Sequence, residues 1–284
     1  MPAYINTNVA SINTVRILDS SQKELTTSME RLSSGKRINH ARDDAAGMAI
    51  SSKMTSQIKG MNQAVRNTND GISLVQTADG AMEGISDKLQ RMRELAVQSA
   101  NGIYSTADRA ALNTEFQALD DEITRVADSA KFNDQALLNT SSGLNIQVGH
   151  LNETSSRISV SRADVSSDAM GGANKINVAS IGTATASQTA ITSIDAALSQ
   201  VNTARASLGS TQNRLETTVK DLKNNVENLS ASRSRIQDAD FASETANLAK
   251  SQILQQAGMA MLAQANQLPQ QRSEERRVGK ECRS

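Results

Sequence analysis

Apolar residues recur every three or four positions along most of this chain of 284 residues, the period of one helical face. Ile5, Val9, Ile12, Val15, Leu18, Leu25, Met29 and Leu32 form the first stripe, and Gly35 offers its stop. Residues 33–44 read as a connector. Asp43 and Asp44, whose charges suit a helix N-terminus, then open a second helix. Its stripe runs Ile50, Met54, Ile58, Met61, Val65, Thr68, Ile72, Val75, Ala78, Met82, Ile85, Leu89, Met92 and Ala96. A seam of this length is of coiled-coil type and predicts a helix roughly 80 Å long. Gly60, Gly71, Gly80 and Gly84 each cost about 1 kcal/mol there relative to Ala, and read as points of close helix approach.

Asn101-Gly102 breaks the pattern. Ser105 or Thr106 caps a third helix with Leu112, Phe116, Leu119, Ile123 and Val126 on one face, which packs back against the rod. From Asn133 to about Thr185 the character changes. Leu144, Ile146 and Val148 alternate with polar residues, as do Ile158 and Val160, which predicts a hairpin. Gly171-Gly172 begins a loop. The longest clean seam follows: Ile191, Ile194, Leu198, Val201, Arg205, Leu208, Gln212, Leu215, Val219, Leu222, Val226, Leu229, Arg233 and Ile236. Its three polar members are of the kind that set register at a cost in stability. A last helix over Asp240 to Gln267 puts Ala246, Ala249, Ile253, Ala257 and Ala260 on one face, and Pro269 ends it. The fold class is mainly α. Long coiled-coil-like helices from both chain ends pack together, with a small β-hairpin region in the middle, placed at the far tip.

Composition agrees with long helices. There is no Trp, and three Phe, two Tyr and two Pro occur in the whole chain. Basic and acidic residues balance at 30 each, and no basic face interleaves with aromatics, which argues against a nucleic-acid partner. No apolar run is long enough to span a membrane, and the N-terminus lacks the basic and apolar regions of a cleaved signal peptide. The tail, Arg272 to Ser284, stands apart. Five of its residues are basic and three acidic, and it holds the lone cysteine, Cys282. Without it 25 basic residues face 27 acidic ones.

Four stretches carry a resemblance. They are INTNVASIN at 5–13, ERLSSGKRINHARDDAAGMAI at 30–50, LQRMRELAVQSANG at 89–102 and SRIQDADFASETANLAKSQILQQAGMAMLAQANQLPQ at 234–270. In this order they resemble bacterial flagellin, the subunit of the flagellar filament, in a short form without outer domains. The resemblance implies a domain layout. Residues 1–42 and 239–271 are the two parts of an inner core domain, the first with a connector. Residues 43–135 and 187–238 form a rod domain, and 136–186 a short variable region. It further implies a helical homopolymer that is extracellular, exported without a cleaved signal, and used in swimming motility. Implied partners are the flagellar cap and hook-filament junction proteins, an export chaperone and a host Toll-like receptor. A hook-filament junction protein is a weaker reading, since the RINHARDDAAG and QRMRELAVQ segments favour flagellin. A coiled-coil adaptor without a filament is the reading from another class. The tail resembles a sequencing adapter translated in frame and is read as non-native.

By the same resemblance Ile5, Val9, Ile12, Arg37, Asp43, Asp44, Ile253 and Leu254 pack in the core and between subunits. Gln90, Arg91, Glu94, Leu95 and Glu115 match the receptor-recognition segment. Met92 and Ala96 lie on the seam, whereas Arg91, Arg93, Glu94 and Leu95 fall off it, on an exposed side. An exposed Arg–Leu pair beside a carboxylate has the composition of a hot spot. Enzyme signals are weak. His40 and His150 sit in no H-E-x-x-H pattern, and neither a phosphate loop nor G-x-S-x-G occurs. Gly80-x-x-x-Gly84 lies on an amphipathic helix and reads as packing. No catalytic, metal or cofactor residue is assigned.

Overall fold

The computed structural model describes residues 7–172 and 175–281, with side chains other than those of Val178 and residues 268–281. Ile5 and Cys282 therefore lie outside the described residues. Helices α1 (Val9–Ser34), α2 (Ala45–Ala100) and α3 (Thr106–Ser129) come first. Strands β1 (Lys131–Phe132), β2 (Gln135–Ala136), β3 (Leu144–Gln147) and β4 (Arg157–Val160) follow, then helices α4 (Ala184–Gln237) and α5 (Phe241–Glu281). The chain forms two compact units. One holds the residues up to Ser56 with those from Leu229 onward, the other Gln57–Asn228.

In the first unit α1 lies antiparallel to α5. Asn8 caps α1 by accepting from Ser11 N at 3.1 Å, and its amide also donates to Ala265 O at 2.7 Å. Gly35 closes the helix with φ +68°, a left-handed cap that glycine adopts without steric cost. At the other end of the pair Arg31 approaches Glu244 at 3.8 Å. The buried members of the contact are Ser21, Leu25 and Ser28 on one helix and Glu244, Ser251 and Ala265 on the other. This seam is small and polar. The face read from the sequence for α5 (Ala246, Ala249, Ile253, Ala257, Ala260) is exposed throughout. Small side chains on both helices of the pair bring the backbones close, so Val9, Ile12 and Val15 of the α1 stripe turn outward while Leu25 stays in the contact. The helix also continues past Pro269 to Glu281, against the expectation of a stop. A proline costs a helix about 3 kcal/mol, but Arg, Glu and Lys, which dominate the following residues, are among the better helix formers.

The connector is pinned to the end of α4 and to the link that follows it. Arg37 N donates to Gln237 O at 2.7 Å, Ala239 N to Gly35 O at 3.0 Å, and Arg37 Nη2 to Ile236 O at 2.6 Å. Ile38 is buried beneath it. Asp43 and Asp44 divide two tasks. Asp43 Oδ2 accepts from the backbone of His40 and Asn39, bonds that hold its carboxyl below the usual range. Asp44 Oδ1 accepts from Gly47 N at 2.8 Å and so caps α2.

In the second unit the seams of α2 and α4 meet. Met82, Ile85, Leu89 and Met92 face a core shared with Ile194, Ala197, Val201, Leu208 and Leu215. Ion pairs flank it, Arg93 Nε to Asp195 Oδ1 at 2.7 Å and Arg205 Nε to Asp79 Oδ1 at 2.8 Å. Arg205 thus acts across the seam, while Gln212 bonds Glu216 of its own helix. The capping box of Ser105 and Asp108 starts α3, whose Phe116, Ile123 and Ala127 enter the same core. Strands β1 and β2 form a tight hairpin that periodicity did not reveal. Its two turn residues, Asn133 (φ +49°) and Asp134 (φ +61°), have the left-handed conformation that such turns require.

The predicted hairpin is β3–β4, pairing Leu144 with Val160 and Ile146 with Ile158. It does not sit at the tip. A Cβ on Gly71 would collide with Ile146 Cδ1, and one on Gly60 would lie 2.8 Å from His150 Cβ. The hairpin therefore packs along the flank of α2, roughly 40 Å before that helix ends. These two glycines admit a hairpin and not a helix. Gly80 and Gly84 contact nothing of the kind, which corrects their reading as packing positions within the chain.

Candidate functional site

Arg91 organises the exposed side of α2. Its Nε and Nη2 donate to Glu115 Oε1 of α3 at 3.0 and 2.9 Å, and its Nη1 to Glu94 Oε2 at 2.9 Å. The guanidinium is held charged above even its usual range, first by the Glu94 bond and then by Glu115. About half of the Arg91 and Glu115 side chains and two thirds of Glu94 (68%) stay open to water, and Gln90 is exposed beside them. Four of the five residues thus share one surface.

Leu95 does not. It is 1% exposed and belongs to the core, contrary to the expectation of an exposed Arg–Leu pair. At this level α2 is covered on two sides, by α4 at the seam and by α3 beside it. Arg109 of α3 reaches over to donate to Ser99 O and Asn101 O, both at 2.9 Å. A seam count assumes one partner and so underestimates the buried arc. The exposed apolar side chains nearby are Val97, half open, and Ile103, 80% open. The i to i+3 step from Glu94 to Val97 is the sequence signal that places Val97 on this side.

The first unit carries a different surface. Val9, Ile12, Val15 and Ile17 of α1 are 49–65% exposed. So are Phe241, Ile253, Leu254, Met259 and Met261 of α5, at 43–65%. With Met29 of α1, 57% exposed, ten large apolar side chains of this helix pair stand open to water, and exposed apolar area on this scale is a mark of interaction sites. Of the sequence-predicted packing residues, Val9, Ile12, Ile253 and Leu254 lie on it, whereas Arg37, Asp43 and Asp44 serve the connector. Among the described residues no group of His, Cys, Asp and Glu gathers as metal ligands would, and no helix is long and apolar enough to cross a membrane.

The family model of the bacterial flagellin N-terminal helical region matches residues 5–143, and that of the C-terminal helical region matches residues 191–272. The chain belongs to the flagellin family. A flagellin from Halalkalibacterium halodurans is 47% identical over 267 residues, covering 94% of this chain and 97% of its own. The flagellar filament core protein flaB2 of Brachyspira hyodysenteriae is 41% identical over 277 residues, with coverages of 94% and 97%. Among solved structures, a flagellar hook-associated protein from Vibrio parahaemolyticus matches with a TM-score of 0.58 at 14% identity. It covers 69% of this chain and all of its own, a likeness of fold alone. Flagellins are a family of structural proteins.

Proposed function

We propose that this flagellin polymerises into the helical filament of an extracellular flagellum that drives swimming. The observation that carries the reading is the apolar outer face of α1 and α5. Within the chain these helices set small polar residues and Leu25 against each other and leave most of their aliphatic residues in water. Burying the remaining half of such a side chain is worth roughly 1 kcal/mol, so neighbours that cover this face gain several kcal/mol per subunit. The cap and hook-filament junction proteins and an export chaperone are the other partners of this reading. Removal of residues 1–35 or 240–271 leaves a helical protein that does not polymerise, seen by electron microscopy after seeding. A truncated chain that still forms filaments refutes the proposal.

The free subunit is also read as a ligand of a vertebrate Toll-like receptor through Gln90, Arg91, Glu94 and Glu115. The exposed fork of Arg91 between two carboxylates supports this. Leu95 enters as the buried support of that surface. Arg91→Ala and Leu95→Ala each weaken activation in a receptor reporter assay, and undiminished signalling from the double variant overturns the assignment.

A further inference from the structure

Between the β3–β4 hairpin and α4 lies an open groove of about 750 Å³, edged by Ser155, Arg157, Ser210, Asn213, Arg214 and Thr217. No carboxylate lines it. Arg157 is held by neutral groups, Gln147 Oε1 at 3.1 Å and Asn152 Oδ1 at 2.7 Å, which orient the guanidinium without balancing its charge. Arg214 has no carboxylate within ion-pair distance among the described residues. Glu153, nearby in sequence, is engaged by Ser155 Oγ at 3.1 Å. Within the unit Arg91, Arg93, Arg125 and Arg205 each hold a carboxylate, whereas Arg66, Arg109 and Arg162 bond neutral groups, as Arg157 does. Two unbalanced guanidiniums among hydroxyls make a seat for carboxylates.

The same unit carries a matching ridge. Asp79, Glu83 and Asp87 step by four along α2, one line on its surface. Asp79 is paired with Arg205, while Glu83 and Asp87 are exposed and in no ion pair among the described residues. Between them stand Gly80 and Gly84. A Cβ on Gly80 would meet nothing within 4 Å, and one on Gly84 only the Lys88 amine at 3.9 Å. These glycines weaken the helix and return no packing within the chain. A bare helix surface flanked by carboxylates suits close approach by another body. Nine residues separate Gly80 from Gly71, about two and a half turns at 3.6 residues per turn, so the two lie on opposite sides of the helix. The ridge therefore faces away from the side of α2 that carries the hairpin.

We propose that the Asp79–Asp87 ridge of one copy seats in the hairpin–α4 groove of a second copy, with Glu83 and Asp87 on Arg157 and Arg214. The proposal rests on the reading that the chain polymerises. The two surfaces differ, so the contact is head-to-tail, and it extends into an open polymer where its rotation does not close into a ring.

The test is seeded polymerisation of the full chain, with critical concentration read by sedimentation and filaments by electron microscopy. R157E/R214E and E83R/D87R change exposed side chains, and unchanged circular dichroism checks their fold. Each variant alone raises the critical concentration at least about tenfold, because like charges then face each other. An equimolar mixture of the two restores assembly, since the acidic ridge of one fits the unaltered groove of the other and the basic ridge fits the reversed groove. G80Q/G84Q, whose Cβ atoms the isolated chain accommodates, also weakens assembly. Wild-type behaviour of both charge variants, or no rescue in the mixture, overturns the proposal. Failure of the wild-type chain to polymerise would instead overturn the filament reading beneath it.

Discussion

The same substitution is expected to have opposite signs at Gly71 and Gly80, nine residues apart on one helix. Replacing a mid-helix glycine by alanine stabilises by about 1 kcal/mol through the backbone alone. At Gly80 the new methyl meets open space, so the full gain appears. At Gly71 it collides with Ile146 Cδ1 of the seated hairpin. Overpacking costs typically 1–3 kcal/mol, so G71A nets a loss of roughly 0–2 kcal/mol. Ile146→Val removes the colliding atom and by itself costs about 0.5–1.5 kcal/mol. The double variant G71A/I146V is therefore more stable than the sum of the single changes, by a coupling of about 1–2 kcal/mol. With two compact units, the transition of the second one is the reading that counts. Hydrogen exchange of amides in residues 74–96 reports the second unit directly. There 1 kcal/mol is about a fivefold change in exchange rate. Equal stabilisation by G71A and G80A would show that the hairpin is not seated on α2 at Gly71.

Three further outcomes are expected. Leu95→Ala opens a cavity in the core and lowers stability by about 2–5 kcal/mol, whereas Arg91→Ala removes only solvent-screened, exposed ion pairs, which contribute little to stability. Urea unfolding separates the two, and equal losses would contradict the buried placement of Leu95. Asp120, half-buried with one carboxylate oxygen unpartnered, has its pKa raised, first by burial and further by Asp121 and Asp168. A raised carboxylate opposes folding above its folded-state pKa and ceases to oppose it once pH falls below the unfolded-state value. Asp120→Asn should therefore raise the melting temperature at pH 7, with the gain shrinking toward acid; a gain constant with pH rules the explanation out. Asp108 and Glu122 behave in the opposite way. Hydrogen bonds from Ser105 and Arg125 lower their pKa values, so their support is present above the unfolded-state values and is lost as pH falls through the folded-state ones. Ser105→Ala should flatten this acid dependence as measured by thermal melts.

Much of this protein follows from local chemistry. The period of the stripes, Gly35, Asp44, the Ser105 cap and the break at Asn101-Gly102 each act within one turn of chain. Every long helix was legible to within a few residues at its start. So was the β3–β4 hairpin, because alternation of Leu144, Ile146 and Val148 is a local signal. The flagellin resemblance came from motifs at both ends of the chain, and the family match covers those same ends.

What a stripe faces is not local. The pattern shows that Val9, Ile12 and Ile253 are apolar, but whether they point at α5, at α1 or at water depends on how closely two backbones approach. Ser21, Ser28 and Ser251 decide that by being small. The same limit hid the burial of Leu95, which a second partner covers, and the flank position of the hairpin, which Gly60 and Gly71 admit. It also left Gly80 and Gly84 indistinguishable from those two until the space above each was known. A sequence alone determines which helices form and which of their faces are apolar, because both depend on residues a turn apart. Only the tertiary structure decides which face is used within the chain and which is left for another, because that depends on backbones that meet from opposite ends of the sequence.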